Sequence, residues 1–197
     1  MDFILKSFAR SMVRITGIRV KAVGVENIDW SKPYIIVFNH TNIFDHFVIY
    51  SVLPQIARGV EKESHFRWPI YGLFLRRVGQ IPIAPRGDTK RAIAALEKGK
   101  ELFRKGISVA IAPEGTRSPT GDLLPFKKGA FHLAIDLEAD IVAIRLTGMH
   151  AFNQKNGFLL NPGDVGVQFF PAISTKPYTK KNVADLRDRI RQLFLDT

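Results

Sequence analysis

A histidine and an aspartate lie five residues apart where an apolar run gives way to polar residues. Residues 34–38 are apolar and mostly β-branched or aromatic, which predicts a buried strand, and the apolar spacing from residue 43 onward predicts a helix. On one continuous helix, five residues separate two side chains by about 140°. His40 and Asp45 therefore meet only if His40 lies in the turn before the helix. Asp45 could then hold one imidazole nitrogen and leave the other as a general base.

A second polar turn follows another apolar run. Residues 107–112 predict a buried strand, and they lead into Glu114-Gly115-Thr116-Arg117-Ser118. This set suits a phosphate group, because arginine makes charge-assisted forked hydrogen bonds and backbone amides beside a glycine can approach an anion. Arg86, Lys127 and Lys128 could add positive potential. Taken singly, the first motif is more simply a helix-start pair and the second a solvated turn.

The elements around these turns alternate between strand and helix. Strands are predicted near 18–25, 34–38, 79–86, 107–112, 141–146 and 165–170, and helices near 2–16, 43–53, 68–75, 89–103, 129–139 and 179–194. Pro54 and Gly59 indicate a connection, and residues 61–67 fit no single element. This order predicts an α/β fold, a layered αβα domain with a central mixed, mostly parallel sheet. Since sites in such folds collect at strand ends, both turns are expected to face one cleft.

Composition narrows the classes of partner and chemistry. The 197 residues fit one domain, and a net charge of +11 indicates an anionic partner such as nucleic acid, an acidic membrane or a phosphorylated substrate. There is no cysteine, which excludes disulfides, thiolate metal sites and a cysteine nucleophile. The histidines follow no metal-ligand spacing, so no metal is expected. No apolar run reaches the roughly 20 residues that span a bilayer.

The first 17 residues are predicted to be an amphipathic helix that precedes one domain of residues 18–197. Ile4, Phe8, Met12 and Ile15 form one row, and basic residues recur at every fourth position from Lys6. The two rows lie about 200° apart on a helix. Such a helix could lie in an anionic membrane interface or pack on the domain with a solvated basic back, and both interpretations stay open.

Together the motifs resemble the 1-acylglycerol-3-phosphate acyltransferase family of glycerolipid acyltransferases. The family's N-H-x-x-x-x-D motif corresponds to Asn39-His40 through Asp45, and its P-E-G-T-R-S motif is complete at 113–118. The similarity covers roughly residues 18–175. Two positions depart from the family pattern: the segment leading to Arg86 is one residue longer, and Ala143 stands where a proline is usual.

The resemblance implies transfer of a fatty acyl group from acyl-CoA or acyl-carrier protein to the free hydroxyl of a lysophospholipid, most simply 1-acyl-glycerol-3-phosphate, giving phosphatidic acid in phospholipid biosynthesis. It assigns His40 and Asp45 to catalysis and Glu114, Gly115, Thr116, Arg117 and Arg86 to the acceptor phosphate, with Asn39, Ser118, Lys127 and Lys128 in support. The resemblance implies no cofactor beyond the acyl donor, and no enzyme nucleophile is needed because a thioester is already activated.

The implied setting is a peripheral protein on the cytoplasmic face of an anionic membrane, without a nucleic-acid partner. Three alternatives remain: an acyltransferase for another lysolipid or a lyso-aminolipid, a hydrolase, and a non-catalytic protein that binds anionic lipid. No G-x-S-x-G motif supports a serine hydrolase.

Overall fold

The computed structural model describes residues 2–83, 88–153 and 160–196. The strands are β1 (Arg19–Val23), β2 (Ile35–Phe38), β3 (Ala57–Lys62), β4 (Ile81–Ile83), β5 (Ser108–Ile111), β6 (Ile141–Thr147) and β7 (Asp164–Phe169). The helices are α1 (Asp2–Ile15), α2 (Asp45–Val52), α3 (Pro69–Arg77), α4 (Thr89–Arg104), α5 (Gly129–Asp136), α6 (Met149–Phe152) and α7 (Val183–Leu195). Short 3₁₀ turns cover Val25–Asn27 and Glu63–Arg67.

The strands form one sheet in the order β1-β7-β6-β2-β5-β3-β4. From β6 to β4 every neighbouring pair is parallel, whereas β7 runs antiparallel to β6 and carries β1 parallel to itself. The predicted α/β fold with a mixed, mostly parallel sheet is therefore confirmed. Strands β2 and β5 are neighbours, so the polar turns that follow them begin at the same edge of the sheet.

Two hydrophobic cores lie on opposite faces of this sheet. All four residues of β2 are buried; Ile36 and Phe38 join the core beneath α1 and α2, while Ile35 and Val37 join the core beneath α4, α5 and α7. A continuous apolar run with side chains on both faces is what a central parallel strand requires. The layered αβα arrangement follows from this double coverage.

The connection predicted around Pro54 and Gly59 is wrong, because β3 occupies Ala57–Lys62. Arg58 and Gly59 break the apolar pattern that marks the other central strands. Gly59 is held there by its backbone, since its N–H donates to the Gln80 side chain. Because β3 depends on pairing with β5 and on a side chain 21 residues away, the residues of β3 themselves show little of a strand pattern.

Helix α1 packs on α2 and also keeps an exposed apolar side. Leu5, Ala9 and Val13 are its buried residues, so the domain-facing row is not the predicted row that begins at Ile4. Lys6 donates a hydrogen bond to the carbonyl of Pro54, just beyond α2. Arg10 donates to the carbonyl of Ser51, in the last turn of α2. Of the helices described, none has the length and apolar character to cross a membrane.

Candidate active site

His40 lies in the turn between β2 and α2, and Asp45 is the first residue of α2. Asp45 is fully buried, and its Oδ2 accepts hydrogen bonds from Thr41 N (2.8 Å) and Asn42 N (2.9 Å). The same oxygen lies 2.8 Å from His40 Nδ1, so the predicted contact is present. A carboxylate at Nδ1 favours the proton on that nitrogen and leaves Nε2 as the basic one. The His40 side chain is 17% exposed, which keeps it within reach of a substrate.

The segment that carries His40 is clamped to the neighbouring strand. Asn39 donates from Nδ2 to Leu146 O (2.9 Å) and accepts from Leu146 N at Oδ1 (2.7 Å). Asn42 donates to the carbonyls of Met149 and Asn153 at 2.9 and 2.7 Å. Asn39, predicted as a supporting residue, thus braces the turn against β6, and Asn42 is a second brace that the sequence analysis missed.

The second polar turn is bonded directly to the backbone of His40. Glu114 is buried; its Oε1 accepts from His40 N at 2.7 Å and its Oε2 from Leu124 N at 2.9 Å. Ser118 N in turn donates to His40 O at 2.8 Å. Burial raises the pKa of Glu114, and the two backbone hydrogen bonds lower it by less. The two turns therefore form one unit, as their positions after adjacent strands predict.

Lys127 lies against Gly115 in this unit. Gly115 has a φ of 68°, and a Cβ at this position would collide with the Lys127 ammonium group. Lys127 N also donates to Pro113 O at 2.8 Å. Thr116 and Arg117 follow Gly115 and are partly exposed. A left-handed glycine and two basic side chains make this turn suited to an anion.

The remaining predicted residues are distributed differently. Ser118 is buried, and its Oγ accepts from Gly121 N at 3.1 Å, which shapes the turn. Lys128 lies at the start of α5, where its charge acts on Asp188 of α7. Arg86 lies outside the described residues. Within the described ranges, no group of three or more histidines and carboxylates is arranged to hold a metal ion.

His46 is a neighbour of the site that the sequence analysis did not single out. Its ring centroid lies 5.5 Å from that of His40 at an interplanar angle of 80°, and it makes a similar edge contact with Phe38. Burial lowers the pKa of His46, and the charge of His40 lowers it further. An imidazole that is harder to protonate than usual therefore packs against the candidate base. Its position directly after Asp45 gives no sign of this contact, because adjacent residues on a helix point in different directions.

These features match one known family. The family profile described as Acyltransferase matches residues 19–147, which is most of the chain, and the chain belongs to this family. Among characterised relatives, the 1-acyl-sn-glycerol-3-phosphate acyltransferase of Saccharomyces cerevisiae is 33% identical over 195 residues, 98% of this chain and 64% of that protein. The enzyme of the same name from Cocos nucifera is 34% identical over 88% of this chain and 57% of its own length.

A human relative, 1-acyl-sn-glycerol-3-phosphate acyltransferase beta, is 32% identical and is covered over 70% of its length. The chain thus spans less than two thirds of the yeast and coconut proteins. The crystal structure of the 1-acyl-sn-glycerophosphate (LPA) acyltransferase PlsC from Thermotoga maritima superposes with a TM-score of 0.84 at 22% identity, covering 98% of this chain and 76% of that one. It shows that the fold is shared.

Proposed function

We propose that this protein transfers a fatty acyl group from a thioester to the free hydroxyl of 1-acyl-glycerol-3-phosphate, giving phosphatidic acid. His40 Nε2 removes the hydroxyl proton as that oxygen attacks the thioester carbonyl. Collapse of the tetrahedral intermediate breaks the carbon–sulfur bond, and the imidazolium returns the proton to the departing thiolate. Asp45 stabilises the imidazolium. General base help of this kind is worth about 10²–10⁴ in rate.

The observation that carries this proposal is the joining of two turns through His40. The imidazole contacts Asp45 at 2.8 Å, while its backbone N–H and carbonyl are bonded to Glu114 and Ser118. A base fixed in this way keeps a constant position relative to the turn that carries Arg117. A phosphate at that turn would bring a hydroxyl of the same small molecule toward His40.

Within the second turn we assign different roles to its members. Arg117 and Lys127 supply positive charge to the acceptor phosphate, and Gly115 and Thr116 supply close backbone and hydroxyl donors. Glu114 acts through the backbone, because both of its oxygens accept hydrogen bonds from N–H groups. It thus positions His40 while the neighbouring residues hold the substrate.

The test is transfer of a labelled acyl group to lysophosphatidic acid and to a panel of other lysolipids. Acyl-CoA and acyl-carrier protein are each supplied as donor, and His40→Ala measures the background. Acylated lysophosphatidic acid that requires His40 is the expected result, and the active donor is then known. Faster acylation of another lysolipid would overturn the assigned acceptor. Thioester loss without acylated lipid would indicate a hydrolase, and no turnover would favour an anionic-lipid-binding protein.

We further propose that the protein works as a peripheral protein on an anionic membrane surface, as on a cytoplasmic leaflet. Helices α1 and α3 adjoin through Phe8 and Phe74, whose ring centroids lie 5.0 Å apart. Both helices leave large apolar side chains exposed, including Ile4 at 62% and Ile70 at 87%. Basic residues flank this surface, namely Arg14, Arg67 and Arg77. Exposed apolar groups bordered by positive charge suit a membrane interface.

Sedimentation with vesicles of phosphatidylcholine and phosphatidylglycerol tests this surface. Ile70→Glu and Leu73→Glu should reduce the bound fraction several-fold. Ile93→Glu is the control, because Ile93 on α4 is an apolar residue about as exposed as Leu73, at 54% against 51%. If Ile70→Glu and Leu73→Glu bind vesicles as well as the Ile93→Glu control does, the exposed side of α3 is not a membrane contact.

A further inference from the structure

Three aromatic rings, those of Phe38, His40 and His46, contact one another at the first polar turn. The ring centroids of His40 and His46 lie 5.5 Å apart at an interplanar angle of 80°, and those of Phe38 and His46 also lie 5.5 Å apart at 80°. Phe38 and His40 complete the set at 6.1 Å and 77°. Each ring therefore meets the other two edge to face, which is a favourable arrangement for aromatic pairs.

These contacts act on a rotation that Asp45 restricts only in part. A histidine ring turns about the bond between Cβ and Cγ, and this torsion has a broad range because it joins an sp³ atom to an sp² atom. Asp45 Oδ2 contacts one ring atom, His40 Nδ1, at 2.8 Å. Phe38 is buried in β2 and offers a fixed surface on which the ring packs. With His46 as a second surface, the rotation is limited further, and with it the direction of Nε2.

His46 also packs on strand β3 at Gly59. A Cβ at Gly59 would lie 3.5 Å from His46 Cδ2, which is an ordinary contact distance, and only 3.0 and 3.1 Å from Gln80 Oε1 and Tyr50 OH. A glycine inside a strand often marks such a close approach. The His46 ring thus contacts β3 as well as the ring of His40, so it is supported by the sheet and cannot turn away freely.

The protonation of His46 favours contact through the ring and not through a charge. Burial lowers the pKa of His46, and the charge of His40 lowers it further. His46 therefore stays uncharged to a lower pH than an exposed histidine does. An uncharged ring packs on its neighbour as an apolar surface would, and it does not repel the imidazolium that the proposed reaction forms at His40.

We infer that His46 is a positioning residue for the proposed acyl transfer, because its ring, together with that of Phe38, sets the direction of His40 Nε2. The inference rests on the proposed role of His40 as the base. A misplacement of about 1 Å can cost a reaction about a hundredfold, and the contact with Asp45 would remain, so the loss of the His46 ring should lower kcat about tenfold. The acceptor phosphate is assigned to the second turn, so its KM should change much less.

Steady-state acyl transfer by three variants tests this role. His46→Ala should lower kcat about tenfold, and His46→Phe should recover most of that loss because it restores a flat ring. Phe47→Ala is the matched control: it removes a ring from the next position of α2, where the ring contacts are with Phe8 and Phe44. This control should keep its kcat even if it loses stability, which separates positioning of the base from packing of the helix.

Nuclear magnetic resonance follows the His40 ring without any turnover. Nuclear Overhauser contacts between the ring protons of His40 and Phe38 report the edge contact of these two rings. They should be present in the wild type, in His46→Phe and in Phe47→Ala, and they should be lost in His46→Ala. Urea unfolding shows whether each variant is folded. If His46→Ala is not, His46→Leu takes its place, because it keeps more of the side-chain volume but has no flat ring.

The inference is overturned if His46→Ala keeps the wild-type kcat or retains the contact between the His40 and Phe38 rings. It is also overturned if His46→Phe loses as much kcat as His46→Ala, since the nitrogens of His46 would then matter and its ring would not. An equal loss in Phe47→Ala would assign the effect to general packing of α2. If the wild type transfers no acyl group, the proposed function fails, and the resonance experiment still decides whether His46 orients His40.

Discussion

The two polar turns follow adjacent parallel strands, yet they use their carboxylates in opposite ways. In the first turn, Asp45 is buried beneath the segment and holds the side chain of His40. In the second, Glu114 is equally buried but holds the backbone of His40. The first turn therefore presents the His40 imidazole, the proposed base. The second presents the basic side chains that come after its carboxylate, and Glu114 serves to join the turns.

This difference means that substitutions in the two turns should affect the chemical step, substrate binding and stability separately. Loss of the His40 imidazole should affect the chemical step, loss of Glu114 should affect the junction, and loss of Arg117 should affect affinity for the acceptor. Variants in the two turns can therefore be compared by which quantity each one changes most: kcat, the free energy of unfolding or the KM for the acceptor. Three substitutions follow from this comparison, in order of decreasing expected effect.

His40→Ala should lower kcat by about 10²–10⁴, because it removes the proposed general base and leaves the proposed substrate contacts in place. The measurement is steady-state acyl transfer, with urea unfolding to show that the variant is folded. His132→Ala, a histidine on α5, is the matched control and should retain activity. Near-normal turnover by His40→Ala would contradict the assignment of the base to the first turn.

Glu114→Ala should destabilise the fold by about 2–6 kcal/mol. The substitution leaves His40 N and Leu124 N buried without their acceptor, and each unsatisfied group costs about 1–3 kcal/mol. Urea unfolding measures the loss, and Glu114→Gln should recover part of it because one side-chain oxygen remains. If Glu114→Ala keeps full stability and only the KM for the acceptor rises, Glu114 is a substrate ligand instead.

Arg117→Gln should raise the KM for the acceptor about ten- to hundredfold while kcat falls much less. The loss of one charge-assisted contact to a phosphate corresponds to about 1.5–3 kcal/mol. Initial rates against acceptor concentration separate the two parameters. Lys127→Gln and Lys128→Gln form a matched pair, because only Lys127 lies against Gly115. A reduced kcat with unchanged KM in Arg117→Gln would contradict the assignment of acceptor binding to the second turn.

The sequence could predict what local chain geometry decides. The spacing of His40 and Asp45 places both groups in one short segment, so their contact depends on the strand and helix on either side of it. The apolar runs before each turn likewise predict β2 and β5, and hence the α/β fold. These elements are determined by patterns of a few consecutive residues.

Contacts between distant residues could not be predicted in this way. Glu114 accepts a hydrogen bond from a residue 74 positions earlier, and no local pattern indicates that its carboxylate points at backbone. Strand β3 forms around Gly59 through pairing with β5 and the Gln80 side chain. The packing of His46 against His40 depends on how α2 lies on the sheet. Each of these is a tertiary property, set by the assembled fold.

His46 gives the smallest of the expected effects, and it shows how burial near the first turn limits the pH range of the fold. Burial lowers the pKa of His46 below its ordinary value of 6.5, so the folded state binds fewer protons there than the unfolded state. Stability from this group is present above that ordinary value and is lost as the pH falls below it. Glu61, His40, Asp45 and His65 are the titratable groups whose charges act on it.

The free energy of unfolding should therefore decrease more steeply in the wild type than in His46→Gln between about pH 7 and 5, by up to about 1.4 kcal/mol per pH unit for one proton. Urea unfolding at several pH values measures both slopes, and subtracting one from the other cancels the contribution of the other titratable groups. Parallel curves would mean that His46 is protonated equally in both states. A steeper wild-type curve would mean that the imidazole beside the proposed base binds a proton less readily in the folded protein than in the unfolded one.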